Sequence, residues 1–510
     1  MGVTGMAVVH AQTNPAPSPT AESGLTTPAV PVTNPATPAA ANGPLTLGAA
    51  IAIALQRQPS IAQAAATKEV AAQQLRQRQS QYYPTVTPEY SYTSNYSFAP
   101  VTEVVPTGTT LDAATSTKAA QPSITRQATT TVVTTTTKQG RVFETKNGDV
   151  GLSYRLLDNG TRNLSTQQAR QNLRASTFGE LDTRRQIIAN VATAYFAVLR
   201  NNALVQVDQA QVQRAQNTLD VTQAQVEAGT VARKDVLQAR ADLLNAQVAL
   251  LQARNNARLS QTQLRSTLGT IEAGGPVSGE LLLADVPAPT DQAPATAQLP
   301  ANAVTSVDED AIRAYTQVAL KQRPDLLQTI ENVDAGRTGV RLQQANAGLN
   351  VTADVGAGFQ YVPYTGSDRK INVAATYPLF DGGLTRAQVR AAQAGVRADQ
   401  AALASLQQQI AVDVEQAYRN LAQAKATLPS AKAALDAAQV NYDAAIEARR
   451  EGAGSLVDVI TAQTSLVQAQ QNYVQDVYDY YSADAALASA VGQADRIGTA
   501  MPAATVPSAP

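Results

Sequence analysis

The chain of 510 residues has no cysteine, no tryptophan and a single histidine, His10, and only 15% of it is charged and 5% aromatic. Without cysteine there is no disulfide, no thiolate metal site, no thiol nucleophile and no lipidated N-terminal cysteine. One histidine beside the start cannot complete a Ser-His-Asp triad or a multi-histidine metal centre, and there is no P-loop. We therefore expect no enzyme, no metal and no cofactor. A net charge of −1 without a basic stripe argues against a nucleic-acid partner. No run approaches the roughly 18 to 20 apolar residues of a transmembrane helix. If this chain enters a membrane, it does so as strands.

What the chain has is Ala, Gln and repetition. Residues 1–43 read as the tail of a secretory signal, MGVTGMAVVHAQT, followed by a Pro/Ala/Thr-rich linker. Beyond them, EAGTVARKDVLQARADLLNAQ and EGAGSLVDVITAQTSLVQAQ align at one offset, 458 − 235 = 223, pairing Gly229 with Gly452 and Asp235 with Asp458. The same offset pairs Tyr154 with Tyr377 and Ala194-Tyr195 with Ala417-Tyr418. Nearer the start of each half, Pro59 pairs with Pro324 at 265, so the first half carries 265 − 223 = 42 extra residues. These fall in a Thr-rich stretch containing TTTVVTTTTK, for which disorder is the default expectation.

Each half contains a pair of alternating segments. In NVTADVGAGFQY, Val351, Ala353, Val355, Ala357, Phe359 and Tyr361 share one face, opposite Thr352, Asp354 and Gln360. RKINVAATYPLF repeats the pattern with Ile371, Val373, Ala375 and Tyr377, and Val86, Tyr90, Tyr92, Val150, Leu152, Tyr154 and Leu156 supply it in the first half. Strands of about ten residues with one apolar face suit an outer-membrane barrel. Four strands cannot close one, and lipid tolerates no open edge. Two copies would give eight strands and three would give twelve; the polar inward faces favour the wider barrel, which leaves a lumen.

After each strand pair comes a long stretch with Pro429 as its one strong breaker, and about 67 helical residues would span roughly 100 Å. Val191, Val198, Val205, Val212, Leu219 and Val226 recur every seventh residue, as do Val414, Leu421, Leu428, Leu435 and Tyr442. A seven-residue period specifies coiled-coil packing. The expected organisation is a first repeat over 44–269, a linker over 270–306, a second repeat over 307–492 and a disordered tail over 493–510. The first repeat would hold a short helix over about 60–83, strands 84–96 and 148–157 around the insertion 97–147, a long helix 161–228 and a return helix 231–268. The second would hold a short helix over about 325–348, strands 350–362 and 370–380, a long helix 384–451 and a return helix 455–491.

YPLFDGG, the paired Gly-x5-Asp-Val turns, the ALxxxP run ahead of each strand pair and the tandem duplication together resemble the TolC family of outer-membrane efflux proteins. The resemblance implies a mainly α chain with membrane β, forming a homotrimeric twelve-stranded barrel continued by a periplasmic α-helical tunnel. It implies a passive export channel in the outer membrane, docked on a periplasmic adaptor and an inner-membrane pump, ABC or proton-driven. Asp158, Gly160, Asp381, Gly382 and Gly383 would mark the barrel-to-tunnel transition, with Gly supplying unusual dihedrals and Asp an N-cap. Asp458 would form an acidic ring at the periplasmic entrance, and Asp235 would belong to the network holding it shut. Thr461 stands where a second ring aspartate would be and Gly454 where a latch arginine would be, so Arg449 or Arg450 becomes the candidate partner of Asp235. Gly229, Thr230, Gly452, Gly454 and Ser455 are candidates for adaptor contact. The rival readings are a periplasmic adaptor, which has one helical hairpin between lipoyl-like strand halves, and a trimeric adhesin, which needs no return helices. The cargo is left open among drugs, metal ions and secreted polypeptides.

Overall fold

The computed structural model describes residues 44–106, 132–271, 281–285, 309–362 and 364–497. The signal-like start, most of the linker 270–306 and the end of the tail lie outside the described residues. Two helical stretches open the two halves, and each is cut by an X-Pro bond. Pro59 and Pro324 disfavour helical dihedrals at Gln58 and Arg323, so α1 (Leu47–Arg57) stops and α2 (Pro59–Ser80) begins with proline at its first position. Likewise α5 (Glu309–Gln322) gives way to α6 (Pro324–Ala345). The helix ahead of each strand pair is therefore two helices, of which the sequence reading marked only the second.

The strands β1 (Thr85–Pro106), β2 (Val132–Leu157), β3 (Asn350–Val362) and β4 (Tyr364–Thr376) form one antiparallel sheet in the order β1-β2-β3-β4. Its register sorts residues by face. Val86 pairs with Leu152, Leu152 with Val355 and Val355 with Ile371, so one apolar row crosses all four strands. The adjacent row is Thr85, Ser153, Asp354 and Asn372, polar throughout and on the opposite face. All four side chains of the apolar row are exposed, so nothing among the described residues covers that face. The first strand pair is longer than the spacing suggested. β1 and β2 pair on through Pro106 and Val132, so much of the Thr-rich segment is strand and only its middle, 107–131, lies outside the described residues. The β-branched run TTTVVTTTT favours this extended backbone.

From the sheet run α3 (Thr161–Glu227) and α7 (Leu384–Arg450), 67 residues each, returning through α4 (Arg233–Leu268) and α8 (Leu456–Val491), 36 residues each. Corresponding helices start 223 residues apart, for example 384 − 161 = 223. At 1.5 Å per residue the long pair span about 100 Å. The heptad residues Val191, Val198 and Leu219 are buried, as are Val414, Leu421 and Tyr442. The main core lies midway along the long helices. There Ile188, Val191, Tyr195 and Phe196 of α3 meet Val414 and Tyr418 of α7, Tyr481 and Leu487 of α8, and Ala50 of α1. The Tyr195 hydroxyl lies 2.6 Å from the Ala284 carbonyl and 2.9 Å from that of Leu45, tying the described linker segment to this core. The tail also begins in the core: Ala494–Arg496 forms a short 3-10 helix, and Ala494 and Ile497 are buried, in contrast to the expectation of disorder from 493. Near the hairpin ends two smaller cores remain, one around Leu219 and Leu243 and the other around Tyr442 and Leu466.

Candidate gate and junction residues

The two hairpin turns begin alike. Gly229 (φ 76°) and Gly452 (φ 77°) take left-handed dihedrals that a side chain would strain. Each ends its helix with a paired hydrogen-bond motif. Thr230 N–H donates to the Gln225 carbonyl at 2.9 Å and Gly229 N–H to that of Val226 at 3.0 Å; Ala453 and Gly452 repeat this with Ala448 at 2.8 Å and Arg449 at 3.1 Å. The Thr230 hydroxyl donates to the same Gln225 carbonyl. Gly454 is fixed by close approach, because a Cβ there would lie 3.0 Å from the Arg449 backbone nitrogen.

The returns then diverge. Ser455 caps α8: its hydroxyl accepts from the Asp458 N–H at 3.2 Å, while its own N–H donates to the Asp458 carboxylate at 2.9 Å. The Ser455 backbone and hydroxyl donors hold the Asp458 carboxyl below the usual carboxylate range. In the first hairpin the N-cap is Ala232, whose side chain caps nothing, so Asp235 has no serine to hold it.

Arg449 leaves its own hairpin. Its Nη2 donates to Thr222 Oγ1 and Gln225 Oε1, both at 3.1 Å, and both acceptors belong to α3. Burial lowers its pKa and the nearby Asp235 charge raises it in opposition, yet the two do not close into an ion pair among the described residues. Arg450 stays local, paired with Glu447 at 2.7 Å on an exposed face. The structure thus sends Arg449 to Thr222 and Gln225 of α3, close enough to Asp235 to feel its charge without bonding it, and leaves Arg450 and Asp458 each within its own turn.

Arg449 ends a row of polar contacts that join the two hairpins. Gln471 of α8 donates to Asp208 of α3 at 3.0 Å, Arg214 of α3 to Gln470 of α8 at 3.2 Å, and Gln463 of α8 to Asp242 of α4 at 3.2 Å. Burial pushes the Asp208 and Asp242 carboxyls up, and their glutamine partners counter it. Sequence reading passed over these residues. The signal was a departure from the repeat: at the 223 offset Asp208 meets Ala431 and Asp242 meets Ser465.

At the other end, the aspartates act from further upstream than an N-cap. Gly160 and Gly383 are themselves the N-cap residues, at φ 81° and 88°. Asp158 accepts from Gly160 N–H at 3.1 Å and Arg162 N–H at 2.9 Å; Asp381 accepts from Gly383 N–H at 2.9 Å and Thr385 N–H at 2.8 Å. Each carboxylate thereby bridges the strand exit and the first helical turn. Gly382 (φ 63°) adds a second left-handed residue in the second copy, where Asn159 (φ 50°) serves in the first. Before Asp381, Leu379 and Phe380 project with about nine-tenths of their surface exposed.

An amphipathic four-stranded sheet whose edge strands have no further partner among the described residues, mounted on a pair of long helical hairpins, defines the class: a chain of the outer-membrane channel type. The CmeC outer membrane channel of Campylobacter jejuni has the same fold, with a TM-score of 0.67 at 16% identity over 88% of this chain and 86% of that one. A family model for outer membrane efflux proteins matches residues 50–270 and 315–493, and the chain belongs to that family. It is accordingly an outer-membrane protein, and the adaptor reading falls. Among curated relatives, the fusaric acid resistance protein FusA of Burkholderia cepacia is 26% identical over 49% of this chain and 44% of its own. The outer membrane protein TolC of Escherichia coli (strain K12) is 26% identical over 41% of this chain and 42% of its own. The matched segments span less than half of either relative.

Proposed function

We propose that three copies of this chain close a twelve-stranded barrel and a helical tunnel, forming the passive outer-membrane duct of an export assembly. A periplasmic adaptor would dock at the Gly229–Thr230 and Gly452–Ser455 turns, and an inner-membrane pump would supply the energy. The observation carrying this reading is the sheet. Among the described residues its apolar face has no cover and its edge strands β1 and β4 no further partner, and lipid leaves no alternative to closure with further copies. The test is reconstitution of the purified protein into planar bilayers together with its mass in detergent. A trimer with stable single-channel conductance is expected, and a monomer that conducts nothing would end the proposal.

Within this reading Arg449 is the latch between hairpins and Asp458 the entrance ring. Arg449→Ala removes both hydrogen bonds to α3, each worth up to about 1.5–3 kcal/mol net for a charged donor and less at this partly exposed site. We expect a several-fold rise in mean conductance or open time. Arg450→Ala, which loses only an exposed local pair, is expected to change neither. Equal behaviour of the two variants would remove Arg449 from the latch.

A further inference from the structure

At the level where the strands meet the helices, a cavity of about 570 Å³ opens between α2 and α3, and among the residues lining it are Arg76, Ser80, Tyr83, Thr166 and Arg170. We propose that it binds the phosphate-bearing head group of an anionic membrane lipid. The position is set by the chain: Tyr83 lies two residues before β1 starts at Thr85, and Thr166 lies in the second turn of the helix that follows β2. In a protein of the outer membrane this is the head-group level on the periplasmic side, where tyrosines sit with their rings in the interface.

The charge is of one sign. Arg76 and Arg170 are exposed and neither has a carboxylate partner among the described residues. Asp158, the acid nearest in sequence on this side, is already taken up by Arg162 at 2.8 Å. Two guanidinium forks without a carboxylate, one of them touching only Gln73 at 3.5 Å, suit a phosphate better than any other common anion at a membrane surface, because each can present two parallel N–H donors.

The buried donors point the same way. Thr166 is 3% exposed and its hydroxyl has no hydrogen-bond partner. Beyond the first turn of α3, Thr177, Thr183, Thr193, Thr218 and Thr222 all donate to the carbonyl four residues back; Thr166 does not. Arg162, the residue one helical turn before it, is held over the rings of Tyr82 and Tyr154 and leaves its Nη1 buried without a partner. A buried polar group left unsatisfied costs free energy, and the Thr166 hydroxyl in the wall of this basic cavity marks a place where an acceptor is wanted. A phosphodiester oxygen fills that role, and its acyl chains run along the uncovered apolar face of the sheet.

The inference rests on the sheet being seated in lipid, and the test separates the two. Wild-type protein, Arg76→Gln/Arg170→Gln and Thr166→Val are reconstituted in bicelles of mixed phosphatidylglycerol and phosphatidylcholine, extracted mildly, and examined by native mass spectrometry; conductance of each is recorded in parallel. We expect the wild type to retain about one phosphatidylglycerol per chain, the double variant to lose it by on the order of tenfold, and Thr166→Val to lose part, with conductance unchanged in all three. Equal retention in wild type and double variant, or retention of phosphatidylcholine in its place, overturns the assignment. Displacement of the lipid by millimolar inorganic phosphate reassigns the cavity to the free anion and likewise overturns it. Loss of conductance by the wild type itself would instead count against the duct.

Discussion

Asp458→Asn is expected to abolish block of the channel by di- and trivalent cations, raising the blocking concentration by on the order of ten- to a hundredfold. Three copies of this carboxylate on one axis would form the narrowest negative ring of the entrance. The Ser455 donors keep it ionised to lower pH than a free aspartate, so block should persist on mild acidification. The structure also supplies the control. Asp458 does two things, carrying charge and closing the capping box with Ser455, and alanine would remove both. Asparagine keeps an acceptor for the Ser455 N–H while removing the charge. Ser455→Ala does the reverse, weakening the cap by about 0.5–2 kcal/mol and leaving the charge. Block lost in Asp458→Asn and kept in Ser455→Ala assigns the effect to charge. Block kept in Asp458→Asn, or lost equally in both, would show that the carboxylate is only a helix cap.

The two aspartates at the 223 offset also show what could and could not be read from the sequence. Periodic features were legible, because they depend on neighbours along the chain. The heptads from Val191 and Val414 identify the helices, the alternation around Val355 identifies the sheet face, and Gly229 and Gly452 mark the turns. Illegible were features set by partners hundreds of residues away. Arg449 and Arg450 are the same residue type side by side; only the packing of α7 on α3 sends one to Thr222 and Gln225 and leaves the other in solvent. The length of β1 and β2 was missed for another reason. Composition assigns disorder to the Thr-rich stretch, while its β-branched run equally favours a strand. Asp381 accepts the N–H groups of Gly383 and Thr385 from two positions upstream of the cap expected of it, because a left-handed Gly383 occupies the cap itself.

Arg323→Ala is expected to be the most destabilising single change in the helical region, by about 3–5 kcal/mol, read as a fall of several degrees in the thermal midpoint in detergent. The Arg323 side chain is 7% exposed and pairs with Asp325 at 2.7 Å and Asp413 at 3.1 Å, joining α6 to α7. It also reaches the Ala490 carbonyl near the end of α8 at 3.4 Å. Removing the guanidinium strips both carboxylates of their direct partner in a partly dry site, leaving Asp325 only the more distant Arg185 charge, and a poorly compensated buried charge is what makes such deletions costly. The first half offers no substitute, since Gln58 stands at the equivalent X-Pro break. The pH dependence follows from Asp325. Burial pushes its carboxyl up, but the Arg323 hydrogen bonds and charge outweigh this and hold it below the usual range. A carboxyl lowered on folding contributes stability above its unfolded pKa of about 3.9, and that contribution is lost as pH falls through the lower folded value. The gap between wild type and Arg323→Ala should therefore be constant from about pH 5 to pH 8 and narrow below about pH 4. A gap that persists unchanged at about pH 3 would mean that Arg323 acts by packing its stem rather than by charge.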